Sequence, residues 1–107
     1  MNVLDELSRT LEARKQADAT TSYVASLHAA GLNRILEKVG EEAVEVIIAA
    51  KECQGAGTKD DLVKEVADLW FHSLVMLSHL DLDHTHVLRV LESRFGTSGH
   101  DEKRSRG

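Results

Sequence analysis

The chain has 107 residues, a single cysteine and a formal net charge of -5, which leaves room for one domain and no broad basic field to hold nucleic acid or an anionic membrane. Cys53 alone excludes an internal disulfide and a cysteine-rich zinc site. No apolar run approaches the roughly 20 residues that span a bilayer, and the acidic start MNVLDELSRT lacks the basic and apolar stretches of a signal peptide, so a cytoplasmic protein is expected.

Proline is absent, and the apolar periodicity is helical throughout, with no convincing strand. Val3, Leu4, Leu7 and Leu11 predict an amphipathic helix over residues 3–17. Thr21 or Ser22 caps a short second helix through Tyr23, Val24, Leu27 and Ala30, closed by Gly31. A third helix, opened near Asn33, covers about 32–53; the glycine inside it, Gly40, costs about 1 kcal/mol relative to alanine and points to close packing or backbone approach. Gln54-Gly55-Ala56-Gly57 is the clearest linker. Thr58 then caps an acid-rich start to a fourth helix over 58–80, and Asp83 caps a fifth to about Phe95. The expectation is an all-α bundle of about five helices in one domain, residues 1–95, followed by a C-terminal tail, 96–107, without apolar periodicity.

Carboxylates carry the chemistry. At about 100° per residue, Ile35, Val39, Ala43, Val46, Ala49 and Ala50 form an apolar stripe on the third helix, with Glu42 inside its border and Glu45 at its flank. A carboxylate among core residues is costly unless paired or metal-bound. The fourth helix is apolar around most of its girth, which predicts burial, except for one seam of Asp61, Glu65, Asp68, His72 and His79. Glu42/Glu45 and Glu65/Asp68 each stand at i, i+3, so each pair shares a helix face. Spacing alone leaves open both a cation site and internal salt bridges to Lys38 or Arg34. An all-oxygen donor set suits Mg²⁺ or Mn²⁺ better than zinc or copper, and Mg²⁺ commonly completes its shell with water and substrate phosphate. Lys38 and Arg34, one and two turns before Glu42, are placed to receive phosphate oxygens.

Glu-Glu-x-x-Glu followed by Glu-x-x-Asp resembles the signature of the all-α nucleoside-triphosphate pyrophosphohydrolases related to MazG. SYVASLHAAGLNRILEKVGEEAVEVIIAAK, EVADLWFHSLVML and RFGTSGHDEKRSR together resemble the phosphoribosyl-ATP pyrophosphatase family of histidine biosynthesis over nearly the whole chain. That resemblance implies hydrolysis of phosphoribosyl-ATP to phosphoribosyl-AMP and pyrophosphate, with Glu42, Glu45, Glu65 and Asp68 as metal ligands. Glu41 matches the first acid of the motif and is the candidate catalytic residue, as ligand, base or neighbour to the ligands. Arg34, Lys38 and His72 are candidates for the substrate side. Trp70-Phe71-His72 departs from an expected Leu-Tyr-His, so no tyrosine stands at 71 to act in catalysis. A cyclohydrolase on a separate chain is the expected pathway neighbour. The rival readings are a house-cleaning nucleotide pyrophosphatase of the same superfamily and a non-catalytic helical interaction module.

The remaining histidines, His28, His79, His84, His86 and His100, share no ligand spacing and are expected in structural or surface roles. Val44 and Ile48 form a second apolar patch on the third helix, and Trp70 lies opposite the acid seam. With only three shorter helices left to cover these faces, a homodimer packed through the third and fourth helices is expected.

Overall fold

A computed structural model describes residues 2–95, and these form five α-helices and no strand: α1 Val3–Arg14, α2 Tyr23–Ala30, α3 Leu32–Glu52, α4 Lys59–His79 and α5 His84–Ser93. The expected all-α bundle is therefore present, while the tail from 96 onward lies outside the described residues.

The helix boundaries follow from local chemistry. The side chains of Asn2, Ser22, Thr58 and Asp83 each accept a backbone N–H of the first turn of the helix they precede, satisfying donors that have no partner inside the helix. Gly31 ends α2 and starts α3 at once with φ +100°, a conformation that a Cβ disfavours. Asn33 thus sits in the first turn of α3 and does not open it. The first helix stops at Arg14, where Lys15 and Ala17 bond back over three residues. Gly57 makes the α3–α4 turn possible, because a Cβ there would lie 2.8 Å from the Glu52 side chain and 2.9 Å from its backbone.

The two 21-residue helices α3 and α4 pair as a long hairpin. The core is gathered at one end of it: Leu11 of α1, Val24 and Leu27 of α2, Ile35 near the start of α3, and Leu74 and Val75 in the second half of α4. Leu4, Leu7, Phe71, Met76 and Leu77 pack around them. We call this end the base of the hairpin.

Two expectations change. Burial of α4 around most of its girth fails: Val63 in its outer half is 65% exposed, and Trp70, just past its midpoint beside a groove lined by Leu4, Val87 and Leu91, is 59% exposed. Gly40 is not a point of close packing either. A Cβ built there meets nothing within 4 Å.

Candidate active site

The acids face one another across the hairpin where the covered base gives way to the open half. One carboxylate oxygen from each of Glu42, Glu65 and Asp68 comes together so that all three lie within 4.8 Å of one another. Glu42 comes from α3, and Glu65 and Asp68 come from consecutive turns of α4, so helix pairing brings together what the i, i+3 spacing supplies in halves. Glu45 stands outside this trio, yet its charge reaches Glu65.

The electrostatics are those of an under-neutralised cluster. Glu65 is pushed above the ordinary carboxylate range, first by partial desolvation and then by repulsion from Asp68, Glu45, Glu42 and Asp61. Among the described residues no lysine or arginine pairs with Glu45, Glu65 or Asp68. Only Glu42 has a protein cation, Lys38 Nζ at 3.7 Å. The salt bridges left open by spacing therefore exist on α3 alone.

Lys38 and Arg34 sit on the same side of the cluster. Lys38 donates to Glu41 Oε2 at 3.1 Å, and Arg34 donates to Glu37 at 3.0 Å and approaches Glu41 at 3.9 Å. The Lys38 ammonium is raised above its usual value, chiefly by the bond to Glu41 and against partial desolvation, with smaller help from Tyr23 and Glu42. Glu41 thus lies between two cations, beside the trio and not in it.

His72 is buried one turn past Asp68 and both of its ring nitrogens are engaged. Nδ1 lies 2.8 Å from the Asp68 carbonyl oxygen and Nε2 lies 2.8 Å from the Tyr23 hydroxyl. The sequence marks Tyr23 only through the family resemblance; this contact spans 49 positions, and no periodicity encodes it.

An oxygen-only donor set, clustered, with two members lacking a protein cation, fits a hard divalent ion. An apolar groove lies elsewhere: Leu4, Trp70, Leu74, Leu77, Val87 and Leu91 are among its lining, which includes no carboxylate.

Comparison with known proteins finds similar ones. The family described as phosphoribosyl-ATP pyrophosphohydrolase matches residues 4–95. A protein of Hydrogenovibrio crunogenus named phosphoribosyl-ATP pyrophosphatase is 51% identical over 105 residues, covering 98% of this chain and 93% of its own length.

Proposed function

The chain belongs to the phosphoribosyl-ATP pyrophosphohydrolase family, and from that premise we propose that the acid cluster between α3 and α4 is its active site. The reaction is hydrolysis of phosphoribosyl-ATP to phosphoribosyl-AMP and pyrophosphate in histidine biosynthesis. The observation that carries the assignment is the trio Glu42, Glu65 and Asp68 within 4.8 Å.

Glu42, Glu45, Glu65 and Asp68 would hold the cation, Mg²⁺ or alternatively Mn²⁺. When bound, it neutralises charge on the triphosphate and lowers the pKa of water. The protein's own part is positioning. Arg34 and Lys38 take phosphate oxygens, exchanging their present ion pairs with Glu37 and Glu41 for the substrate. Glu41, released by that exchange, orients the attacking water and accepts its proton as the oxygen bonds to the α-phosphorus. The bond from that phosphorus to the bridging oxygen breaks, and pyrophosphate leaves with the electron pair. His72 serves the substrate side by holding Tyr23 and the turn of α4 that carries Asp68.

We further propose a homodimer through α3 and α4, with Val44, Ile48 and Trp70, each of them exposed, at the interface. No helix among the described residues is long and apolar enough to cross a membrane; a cytoplasmic location and a cyclohydrolase on a separate chain complete the proposal.

Pyrophosphate release from phosphoribosyl-ATP, ATP, dUTP and dCTP, with and without Mg²⁺, tests the site. Metal-dependent release with phosphoribosyl-ATP far ahead is expected. Full turnover after chelation would sink the acid-cation assignment, and equal rates on all four would favour a broad house-cleaning enzyme.

A further inference from the structure

Tyr23 combines exposure with constraint. Its side chain is at the first position of α2 and the residue is 51% exposed, where a tyrosine ordinarily keeps its rotamer freedom. Here the hydroxyl is tied to His72 Nε2 at 2.8 Å, and the ring stacks on Phe71 with centroids 6.4 Å apart and planes at 17°. The direction of the first bond follows from proton counting. A carbonyl only accepts, so His72 Nδ1 carries the hydrogen donated to Asp68. In the neutral ring Nε2 is then the acceptor, and the phenol donates to it. His72 is itself 6% exposed, with Tyr23 and Phe71 both packed edge-on to its ring. The hydroxyl of Tyr23 is thus held by the buried His72 and its ring by the half-buried Phe71, and half of its surface stays open.

The location gives this open face a purpose. His72 is one helical turn from Asp68, and Lys38, close enough to feel the Tyr23 oxygen, is one turn from Glu42. The ring therefore lies on the base side of the acid cluster, near the residues assigned to the phosphates.

We propose that Tyr23 is a specificity-determining residue whose open face stacks on the purine base of the substrate while the acids hold its triphosphate. This deepens the reading given under Proposed function and rests on it. A pinned aromatic loses little further freedom on binding, which is how a single ring gives useful affinity. Stacking of a base on an aromatic side chain accounts for roughly 5- to 100-fold in affinity.

The test separates the two ends of the substrate in the full chain. Equilibrium dialysis gives the affinity for phosphoribosyl-AMP, which keeps the base, and competition gives the affinity for Mg²⁺-pyrophosphate, which lacks it. Tyr23→Leu should weaken phosphoribosyl-AMP about 5- to 100-fold and leave pyrophosphate within about twofold. Tyr23→Phe keeps the ring and loses the tether, so it should fall between wild type and Tyr23→Leu. Circular dichroism melting confirms that each variant is folded. Unchanged phosphoribosyl-AMP affinity in Tyr23→Leu overturns the proposal, and so does an equal loss for both ligands, which marks a merely structural residue. Asp68→Asn is the separate arm and should weaken pyrophosphate while sparing phosphoribosyl-AMP. Unmoved pyrophosphate affinity there overturns the acid site and not the stacking face.

Discussion

At the base of the hairpin, where α1 packs against α4, α2 against α3 and α5 against α1, most polar groups beneath the surface have partners from other helices. His84 accepts or donates to Ser8 Oγ at 2.6 Å through Nδ1 and reaches Asp5 at 2.7 Å through Nε2, and Ser78 donates to Glu12, which in turn pairs with Lys15. Farther along the same hairpin, Glu42, Glu65 and Asp68 converge with one protein cation among them. Both arrangements place charge near apolar surface. Only the second leaves it uncompensated, and unpaired charge is tolerated where binding a ligand, and not folding, supplies the counter-charge. On the proposed reading, the first histidines and acids hold the fold and the second set is kept for a substrate.

The sharpest way to break that contrast is to neutralise the open cluster. Glu42→Gln, Glu65→Gln and Asp68→Asn should each lower turnover at least about a hundredfold, since each removes charge from the proposed cation site without removing core volume. In metal-free buffer, Glu65→Gln should melt no lower than wild type, because the desolvation cost and the repulsion that raise Glu65 disappear with its charge. Near-normal turnover in two of the three, or a clear loss of metal-free stability in Glu65→Gln, would make the acids structural.

The converse variant acts on the base. His84→Ala removes a buried ring and its bonds to Ser8 and Asp5, so about 2 kcal/mol should be lost, or roughly 8–16 °C in melting temperature for a domain of this size. Turnover per folded molecule should hold. A fall in kcat at temperatures where the variant remains folded would show that α5 communicates with the acid groove.

How much of this was legible in the sequence depends on separation along the chain. Ser22, Gly31, Thr58 and Asp83 announce their helix ends because a cap acts within three residues. The two acid pairs are visible because i, i+3 is also local. Which acids meet is half visible: the spacing puts Glu45 with Glu42, but the pairing of α3 with α4 selects Glu42, Glu65 and Asp68 as the tight trio. The ties of His84 to Ser8 and Asp5 span 76 and 79 positions, and that of His28 to His79 spans 51. No periodicity encodes such contacts, so the sequence supports only a general structural role for these histidines. The uncovered outer half of α4 misleads for a related reason: an apolar girth records that a surface needs covering, not whether this chain covers it.

Gly40 sharpens the contrast from the open side. With no atom within 4 Å of a Cβ placed there, Gly40→Ala should raise stability by up to about 1 kcal/mol through helix propensity, seen as a higher melting temperature with unchanged turnover. If stability rises while turnover or dimer mass falls, a substrate or a second copy approaches α3 closely at that point. A lower melting temperature would contradict the open geometry.

The smallest effect tests the one incomplete partnership at the base. His28 and His79 stack with centroids 5.1 Å apart and share a single Nδ1–Nδ1 hydrogen bond of 2.9 Å, while His28 Nε2 is buried without a partner. Burial first, then His79 and Lys15, push the His28 pKa below its ordinary value, and Glu12 opposes them weakly. A histidine depressed in the folded state contributes stability that is complete above its unfolded pKa of about 6.5 and is lost as pH falls through that value toward the folded one. The unfolded chain takes the proton first, because burial makes the charge costly on the folded His28. Melting temperature should therefore fall between about pH 7.5 and 5.5, and His28→Leu, which removes the group, should flatten part of that slope. Identical slopes in the two proteins would assign the acid sensitivity to other groups and leave the histidine pair as packing alone.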